Sequence, residues 1–294
     1  MGGRIDVLNV TIQVLLNGIM LGVLYAVVGV GLAAVFGIMR VTNLAHGDLM
    51  VVASYLSLIT ISHIGGNPFL SLIIVVPLMF LVGFGLQYYL LNRAINKGPE
   101  PPLLTTFGLM IIVENGLLLV FSPDAHTLAN GLVVKSIPLT ANLNIPVIYL
   151  IDFLVGVAVI LGFALFLKKT YLGLAIRAAS DDDYAAALQG INAKMVYAYT
   201  MGAAMVTAAI AGVLVGMTFT FNPYSGSQYL ILAFGVVVIG GLGSVSGTLA
   251  AGIILGVAQL LGAYYIGTGS QLLAAYLVLL IVLAVRPQGL FSRA

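Results

Sequence analysis

Long apolar stretches constrain this chain more than any other feature of its sequence. Only 7% of its 294 residues are charged, and its mean hydropathy is +1.16. A soluble domain carries about 25% charged residues. A helix needs roughly 20 apolar residues to cross about 30 Å of hydrocarbon. The sequence therefore predicts an all-α integral membrane protein of about eight spans, folded as a single transmembrane domain over residues 1–294.

Turn-forming and charged residues separate the apolar stretches and give approximate span boundaries. The first stretch has room for one long or one broken span, and the seventh, with 37 residues, is too long for a single crossing. Three prolines in residues 122–146 indicate a loop with room for a short hairpin. The predicted spans are 10–39, 46–63, 69–91, 103–121, 147–167, 196–219, 229–265 and 272–285.

Two apolar runs are interrupted in mid-course, at residues 40–48 (RVTNLAHGD) and 240–247 (GGLGSVSG). Broken helices at membrane depth are tolerated only where protein or a cavity surrounds their free backbone groups. In transporters such breaks often flank the substrate path, where helix N-termini can meet a carboxylate. The interruptions therefore predict two broken or re-entrant helices. The residues predicted for the translocation path or its gate are Thr42, Asn43, His46, Asp48, Thr106, Glu114, Asn115, Gly240, Gly241, Gly243 and Ser244.

Two of these assignments have alternatives that the residues leave open. His46 and Asp48 could equally cap a helix, and no third residue nearby completes a metal site. Glu114 lies inside a predicted span, where carboxylates are costly and usually functional. It could instead lie near the end of that span or pair with a neighbouring helix.

The longest polar stretch is the loop 168–195. It holds seven of the chain's 20 charged residues. Ser180 is predicted to cap a helix of about 10 residues, with three Asp residues in its first turn, where the helix dipole favours negative charge. Gly190 fits the left-handed stop. A helix this short needs a partner surface, so the loop is interpreted as a docking helix, with a solvated connector as the alternative. Its apolar residues include Ala185, Ala186 and Leu188.

The distribution of Lys and Arg predicts the orientation in the membrane. The loop 168–195 is expected in the cytoplasm, and the Pro-rich stretch 122–146 outside. The N-terminus is then external if the first span is a single crossing, which conflicts with Arg4. The basic residues assigned to the cytoplasmic side are Arg40, Arg93, Lys97, Lys168, Lys169, Arg177, Lys194, Arg286 and Arg293.

Four stretches together resemble one known family. They are FGIMRVTNLAHGD (36–48), the loop from Gly173 to Asn192, GGLGS (240–244) and RPQGLF (286–291). They are similar to motifs of the permease subunits of ABC importers for branched-chain amino acids, specifically the shorter of the two permeases that usually pair. One departure is Phe107 in TTFG, where the family has Leu, which bears on packing and on substrate size.

The resemblance implies a type II-like ABC importer permease in the bacterial cytoplasmic (inner) membrane. Its expected partners are a second related permease, two cytoplasmic ATPases, an external solute-binding protein and membrane lipid. It implies no cofactor on this chain, because ATP and Mg belong to the ATPases; the sequence contains no phosphate-binding G-x-x-x-x-G-K-[ST] motif. A net charge of +2 does not suggest a nucleic-acid partner. The residues expected to couple to the ATPases are Gly173, Arg177, Asp181, Asp182, Asp183, Gly190 and Asn192.

Other functions remain as alternatives. Permeases of this family for urea and short amides or for aromatic acids would share the same motifs. A stand-alone secondary transporter would need an ion-coupling group, for which Asp48, Glu114 and Asp152 are the candidates. An intramembrane enzyme is the least favoured, because Ser244 and Ser246 lie outside any G-x-S-x-G motif and the chain has no Cys.

Overall fold

The structure is a computed structural model that describes residues 2–95, 97–98, 100–128, 135–140 and 143–291. A π-helical turn at Leu86–Leu91 and a 3-10 turn at Thr268–Ser270 lie between the α-helices. The helices are α1 (Gly2–Met39), α2 (His46–Ile64), α3 (Pro68–Gly85), α4 (Asn92–Ile95), α5 (Glu100–Phe121), α6 (Val147–Lys169), α7 (Tyr171–Asp181), α8 (Asp183–Leu188), α9 (Ala193–Thr218), α10 (Ser225–Gly240), α11 (Val245–Tyr265) and α12 (Gln271–Val285).

Within the described residues, eight helical segments are long and apolar enough to cross a membrane, which confirms the prediction of about eight spans. They are α1, α2, the continuous segment α3–α4, α5, α6, α9, α11 and α12, and α10 is a shorter apolar helix. The predicted hairpin is present: β1 (Ser136–Thr140) pairs antiparallel with β2 (Leu143–Pro146) between α5 and α6.

The centre of the bundle is formed by α1 and α9, and α5 and α12 lie at its periphery. In the most apolar window of each helix, 83% of the residues of α1 and of α9 are buried, against 11% for α5 and 6% for α12. The crossing of α1 with α11 is close because both helices present glycines: a Cβ added at Gly22 would lie 2.5 Å from the Cα of Ile253. Small residues at such crossings let membrane helices approach one another.

Hydrogen bonds gather the basic helix ends at one end of the bundle. Asn92 donates to the carbonyl oxygen of Lys194 (3.1 Å), and Ser180 donates to that of Gly37 (2.9 Å). The cation-rich end is defined by Arg40, Arg93, Lys97, Lys168, Lys169, Arg177, Lys194 and Arg286. Lys135 accepts a hydrogen bond from the first residue of α6, at the opposite end of that helix. This arrangement follows the predicted orientation, although Arg293 lies outside the described residues.

Candidate translocation and coupling sites

The first interruption leads from the end of α1 into the bundle. The helix α1 ends at Met39, and Arg40 adopts a φ of +53°. The chain then turns back, so that the ring nitrogen Nε2 of His46 donates to the carbonyl oxygen of Val28 (3.1 Å). Val28 precedes Met39 by eleven residues, about 16 Å along a helix. The helix α2 therefore begins beside the middle of α1 and not at its end.

Asn43 shapes the turn into α2. Its side-chain oxygen accepts a hydrogen bond from the backbone of Ala45 (3.1 Å), and its backbone oxygen accepts one from His46 (3.3 Å). Thr106 of α5 lies against the same turn, with its hydroxyl 3.4 Å from the carbonyl oxygen of Thr42. Asn43, His46 and Thr106 are buried. In this structure they are internal contacts, and their part in a path stays a prediction.

Asp48 is fully buried in the first turn of α2. Neither carboxylate oxygen has a hydrogen-bond partner among the described residues, and the same holds for Nδ1 of His46. The carboxylate packs against Gly226 in the first turn of α10. Two helix N-termini therefore meet at Asp48, and their dipoles favour a negative charge there.

Gly226 is necessary for this arrangement. A Cβ at Gly226 would overlap Oδ1 of Asp48 and lie 2.8 Å from its Cα. We expect Gly226→Ala to lower stability by about 1–3 kcal/mol through overpacking, and Asp48→Ala in the same chain to restore part of the loss. Thermal unfolding measures both. Gly235→Ala on the same helix, where the nearest atom is 3.4 Å away, is the matched control. A double variant no more stable than Gly226→Ala would show that the carboxylate is not the obstacle.

Glu114 and Asn115 lie on the poorly buried helix α5. Asn115 is exposed and donates to the carbonyl oxygen of Ile111 (2.8 Å), and Glu114 is half-buried. Glu114 is close enough to Asp48 to interact with it electrostatically. The structure thus confirms that Glu114 lies inside a membrane-length helix. An exposed polar side chain in such a helix is costly in lipid, and the part of both residues in a path stays a prediction.

The second interruption is a turn at the cation-rich end. The helix α10 ends at Gly240, and Ser244 caps α11 by accepting a hydrogen bond from Gly247 (3.1 Å). Gly241 and Gly243 have φ values of +87° and +83°. With 16 residues, α10 is about 24 Å long, so the turn after Gly240 lies far from Gly226 in the first turn of this helix. The role of these glycines and Ser244 in the path stays a prediction.

Three of the sequence motifs meet at this turn. A Cβ on Gly37, at the end of α1, would lie 2.5 Å from the Cα of Gly243. From the C-terminal segment, Leu290 donates to the carbonyl oxygen of Ile239 (2.8 Å), and Gly289 packs against Gly241. The segments 36–40, 240–244 and 286–291 are therefore neighbours in space.

The charged loop contains two short helices, α7 and α8, and the prediction of Ser180 as the cap is wrong. Asp182 is the cap: its Oδ1 accepts hydrogen bonds from Tyr184 and Ala185, both at 2.9 Å. The reason is that α7 begins already at Tyr171, so Ser180 falls in its last turn and binds Gly37 instead. Asp181 ends α7, and Asp183 begins α8 with a side chain outside the described residues.

The predicted stop at Gly190 is confirmed. Gly190 has a φ of +81° and donates to Ala187 (3.0 Å), and Ile191 donates to Ala186 (3.1 Å). This pair of bonds is the Schellman ending of a helix. Asn192 then caps α9 by accepting a hydrogen bond from Met195 (3.4 Å). Gly190 and Asn192 therefore set the course of the loop.

One face of α7 packs on the membrane helices, and the other is exposed. A Cβ at Gly173 would meet the backbone of Phe166 and Leu167, so α7 lies directly on the end of α6. Arg177 is exposed, with a guanidinium nitrogen 3.5 Å from the carbonyl oxygen of Lys168. The exposed large apolar side chains of α7 and α8 form what we name the docking surface. It consists of Tyr171, Leu174, Tyr184 and Leu188.

Of the four residues of the docking surface, the sequence analysis predicted only Leu188 as an apolar residue of a docking helix. Tyr184 and Leu188 are 76% and 72% exposed, whereas Ala186, predicted to lie with Leu188, is buried. The missed signal was the presence of large apolar residues in the most polar loop of the chain. Among the described residues, no group of three or more His, Cys, Asp or Glu side chains could hold a metal ion.

In the part of the chain that the structure describes, a bundle of eight membrane-length helices, with a polar break inside it and exposed apolar side chains on a charged loop, is the fold of an integral membrane protein. The chain belongs to the family of permease components of branched-chain amino acid transport systems, whose family model matches residues 14–285. It is therefore a multi-pass membrane protein and not itself an ATPase.

Relatives support this membership over nearly the full length. The permease protein BraD of Pseudomonas aeruginosa, named for high-affinity branched-chain amino acid transport, is 31% identical over 96% of both chains. LivH of Salmonella typhimurium is 30% identical over the same shares, and the probable LivH of Methanocaldococcus jannaschii is 27% identical over 91% of this chain and 88% of that protein. PsaBC from Streptococcus pneumoniae, solved with a Fab, has a TM-score of 0.51 at 14% identity over 94% of this chain and 93% of that chain, a likeness of fold alone.

Proposed function

We propose that this chain is one permease subunit of an ATP-driven importer for branched-chain or related amino acids delivered by an external binding protein. Its partners are a second related permease and two cytoplasmic ATPases. The observation that carries the proposal is the docking surface on α7 and α8, attached to the membrane helices. Exposed aromatic and aliphatic side chains in an otherwise charged loop fit a protein partner.

The contacts of α7 support a mechanical coupling. Ser180 binds the end of α1, and Gly173 packs on the end of α6. A displacement of α7 by an ATPase would therefore move both helix ends. Because α1 leads directly into the turn at Asn43, the same displacement would reach the start of α2 inside the bundle. Packed helix contacts such as those of α7 with α1 and α6 switch between discrete arrangements. Transport requires such a switch between an inward-open and an outward-open state.

The exposed face of α5 is the best candidate for the path wall. Leu104, Ile111, Asn115 and Leu119 recur at helical spacing on this face, and Asn115 is its polar centre. A mostly apolar wall with few polar groups suits a solute with a hydrophobic side chain and a zwitterionic backbone. The substrate would pass between α5 and the second permease.

This assignment predicts a transport defect without an assembly defect. We expect Asn115→Ala and Glu114→Gln each to lower leucine uptake several-fold, because the first removes a polar group and the second a negative charge from the path while the backbone packing of α5 stays unchanged. Uptake of labelled leucine is measured beside the recovery of ATPase subunits. Thr105→Ala is the control, since it removes a polar side chain of the same helix that also bonds within the helix but is half-buried and outside this exposed face. Normal uptake by both variants would place the path elsewhere.

Reconstitution tests the proposed function as a whole. The chain is purified with its copurifying subunits and placed in proteoliposomes with the binding protein outside. Leucine uptake is expected to need ATP inside, and competition by urea or an aromatic acid tests the substrate class. Uptake driven by an ion gradient without ATP would instead identify a secondary transporter.

A further inference from the structure

An apolar groove of about 440 Å³ lies between α3, α6 and α9, under the first turn of α7. Its volume falls in the range of ligand pockets, roughly 300–1,000 Å³. Along α9 it extends from Tyr199 to Ile210, about 16 Å of helix. Its wall includes Phe80, Gly162, Phe166, Leu172, Tyr199 and Ile210.

The groove opens sideways, towards the surroundings of the bundle. Gly162 is exposed, and a Cβ there would have no atom within 4 Å. The hydroxyl of Thr207, also in the wall, already donates to Ala204 (2.8 Å). Apart from the hydroxyl of Tyr199, the wall therefore offers mainly apolar contact, and the apolar window of α6, which supplies Gly162, is only 22% buried. A lipid acyl chain reaches such a groove from the membrane and needs no hydrogen-bond partner there, so it fits this wall.

Basic residues follow or precede the wall residues of this groove at the cation-rich end. Phe166 and Leu172 form the upper wall, and the exposed Lys168 and Lys169 lie between them in the sequence. The exposed Lys194 lies in the first turn of α9, which supplies Tyr199, and its carbonyl oxygen is bound by Asn92 of the α3–α4 segment. The basic cluster is defined as Arg93, Lys168, Lys169 and Lys194.

We propose that the groove holds an acyl chain of an anionic phospholipid whose headgroup binds the basic cluster. Each Lys or Arg near an anionic membrane surface contributes about 1 kcal/mol of attraction, and the groove adds burial of the chain. Because Leu172 of α7 covers the groove, the lipid also supports the first turn of the coupling loop. The proposal depends on neither the transported solute nor the ATPases.

Lipid retention by the purified full-length chain tests this proposal. Native mass spectrometry in mild detergent counts bound phosphatidylglycerol and phosphatidylcholine, and thermal unfolding records the stabilisation by each. We expect phosphatidylglycerol to be retained preferentially and to raise Tm more than phosphatidylcholine does. Lys168→Gln with Lys169→Gln should remove the preference. Gly162→Leu should reduce retention at least three-fold at an unchanged Tm without lipid, because its side chain enters open space.

The matched control is Ala158→Leu, which adds similar bulk at an exposed position of α6 outside the groove wall. It should retain phosphatidylglycerol like the unaltered chain. Equal retention of both lipids overturns the proposal. So does a Gly162→Leu chain that keeps its lipid, since the charges would then act only as a general surface attraction. If the Gly162→Leu chain keeps its lipid but no longer copurifies with the second permease, the lipid proposal is also overturned, and the groove is a contact between subunits.

Discussion

Tyr184→Ala combined with Leu188→Ala is expected to abolish copurification of the ATPases and ATP-driven uptake while the chain still folds. Both side chains belong to the docking surface and project from α8 into solvent. Loss of an interface hot spot costs about 2 kcal/mol or more, and 1.4 kcal/mol corresponds to a factor of about ten in affinity. The double variant should therefore bind ATPases at least 30-fold more weakly. The cap at Asp182 is untouched, so α8 itself should persist.

The control for this experiment is Leu161→Ala with Leu165→Ala. These side chains are similarly exposed, at 57% and 55%, on the membrane-spanning helix α6. ATPase recovery with the control should match that of the unaltered chain. Normal ATPase recovery with the Tyr184 and Leu188 variant would exclude α8 as the docking element. If no ATPase copurifies even with the unaltered chain, the proposal that this chain is a subunit of an ATP-driven importer is contradicted.

Gly240→Ala is expected to prevent accumulation of folded protein. A Cβ at Gly240 would lie 2.6 Å from the carbonyl carbon of Gly247 and 2.7 Å from the nitrogen of Thr248. These are backbone atoms, which cannot rotate away as a side chain can. Overpacking typically lowers the free energy of unfolding by about 1–3 kcal/mol. Because the obstacle here is backbone, we expect the loss for this variant to reach or exceed the upper end of that range. Yield after size-exclusion chromatography and thermal unfolding provide the measurement.

Gly85→Ala is the matched control, because no atom lies within 4 Å of an added Cβ there. Alanine in a helix is more favourable than glycine by roughly 0.5–1 kcal/mol, so this variant should be as stable as the parent or more so. The comparison also separates two roles for Gly240. A Gly240→Ala chain that folds with an unchanged Tm but does not transport would support the predicted path role over packing.

The features that local chemistry controls could be predicted from the sequence. Span number follows from runs of about 20 apolar residues, because backbone groups in lipid must be satisfied within each helix. The break before His46 and the stop at Gly190 follow from turn-forming residues acting over a few positions. The candidate site was only partly predictable: Glu114 and Asn115 stood out as polar residues inside a span, and their exposure depends on how α5 packs.

The sequence by itself determined that this protein is a membrane bundle with two interruptions and one charged loop, since length, hydropathy and turn residues are local properties. Only the tertiary structure decided that the chain doubles back to bring His46 beside Val28, that the turn at Gly240 meets Gly37 and the C-terminal segment, and that Asp182 caps α8 in place of Ser180. The physical reason is that these outcomes depend on contacts between residues far apart in the sequence. Ser180 could bind its own helix or α1, and packing of α7 on α6 selected α1.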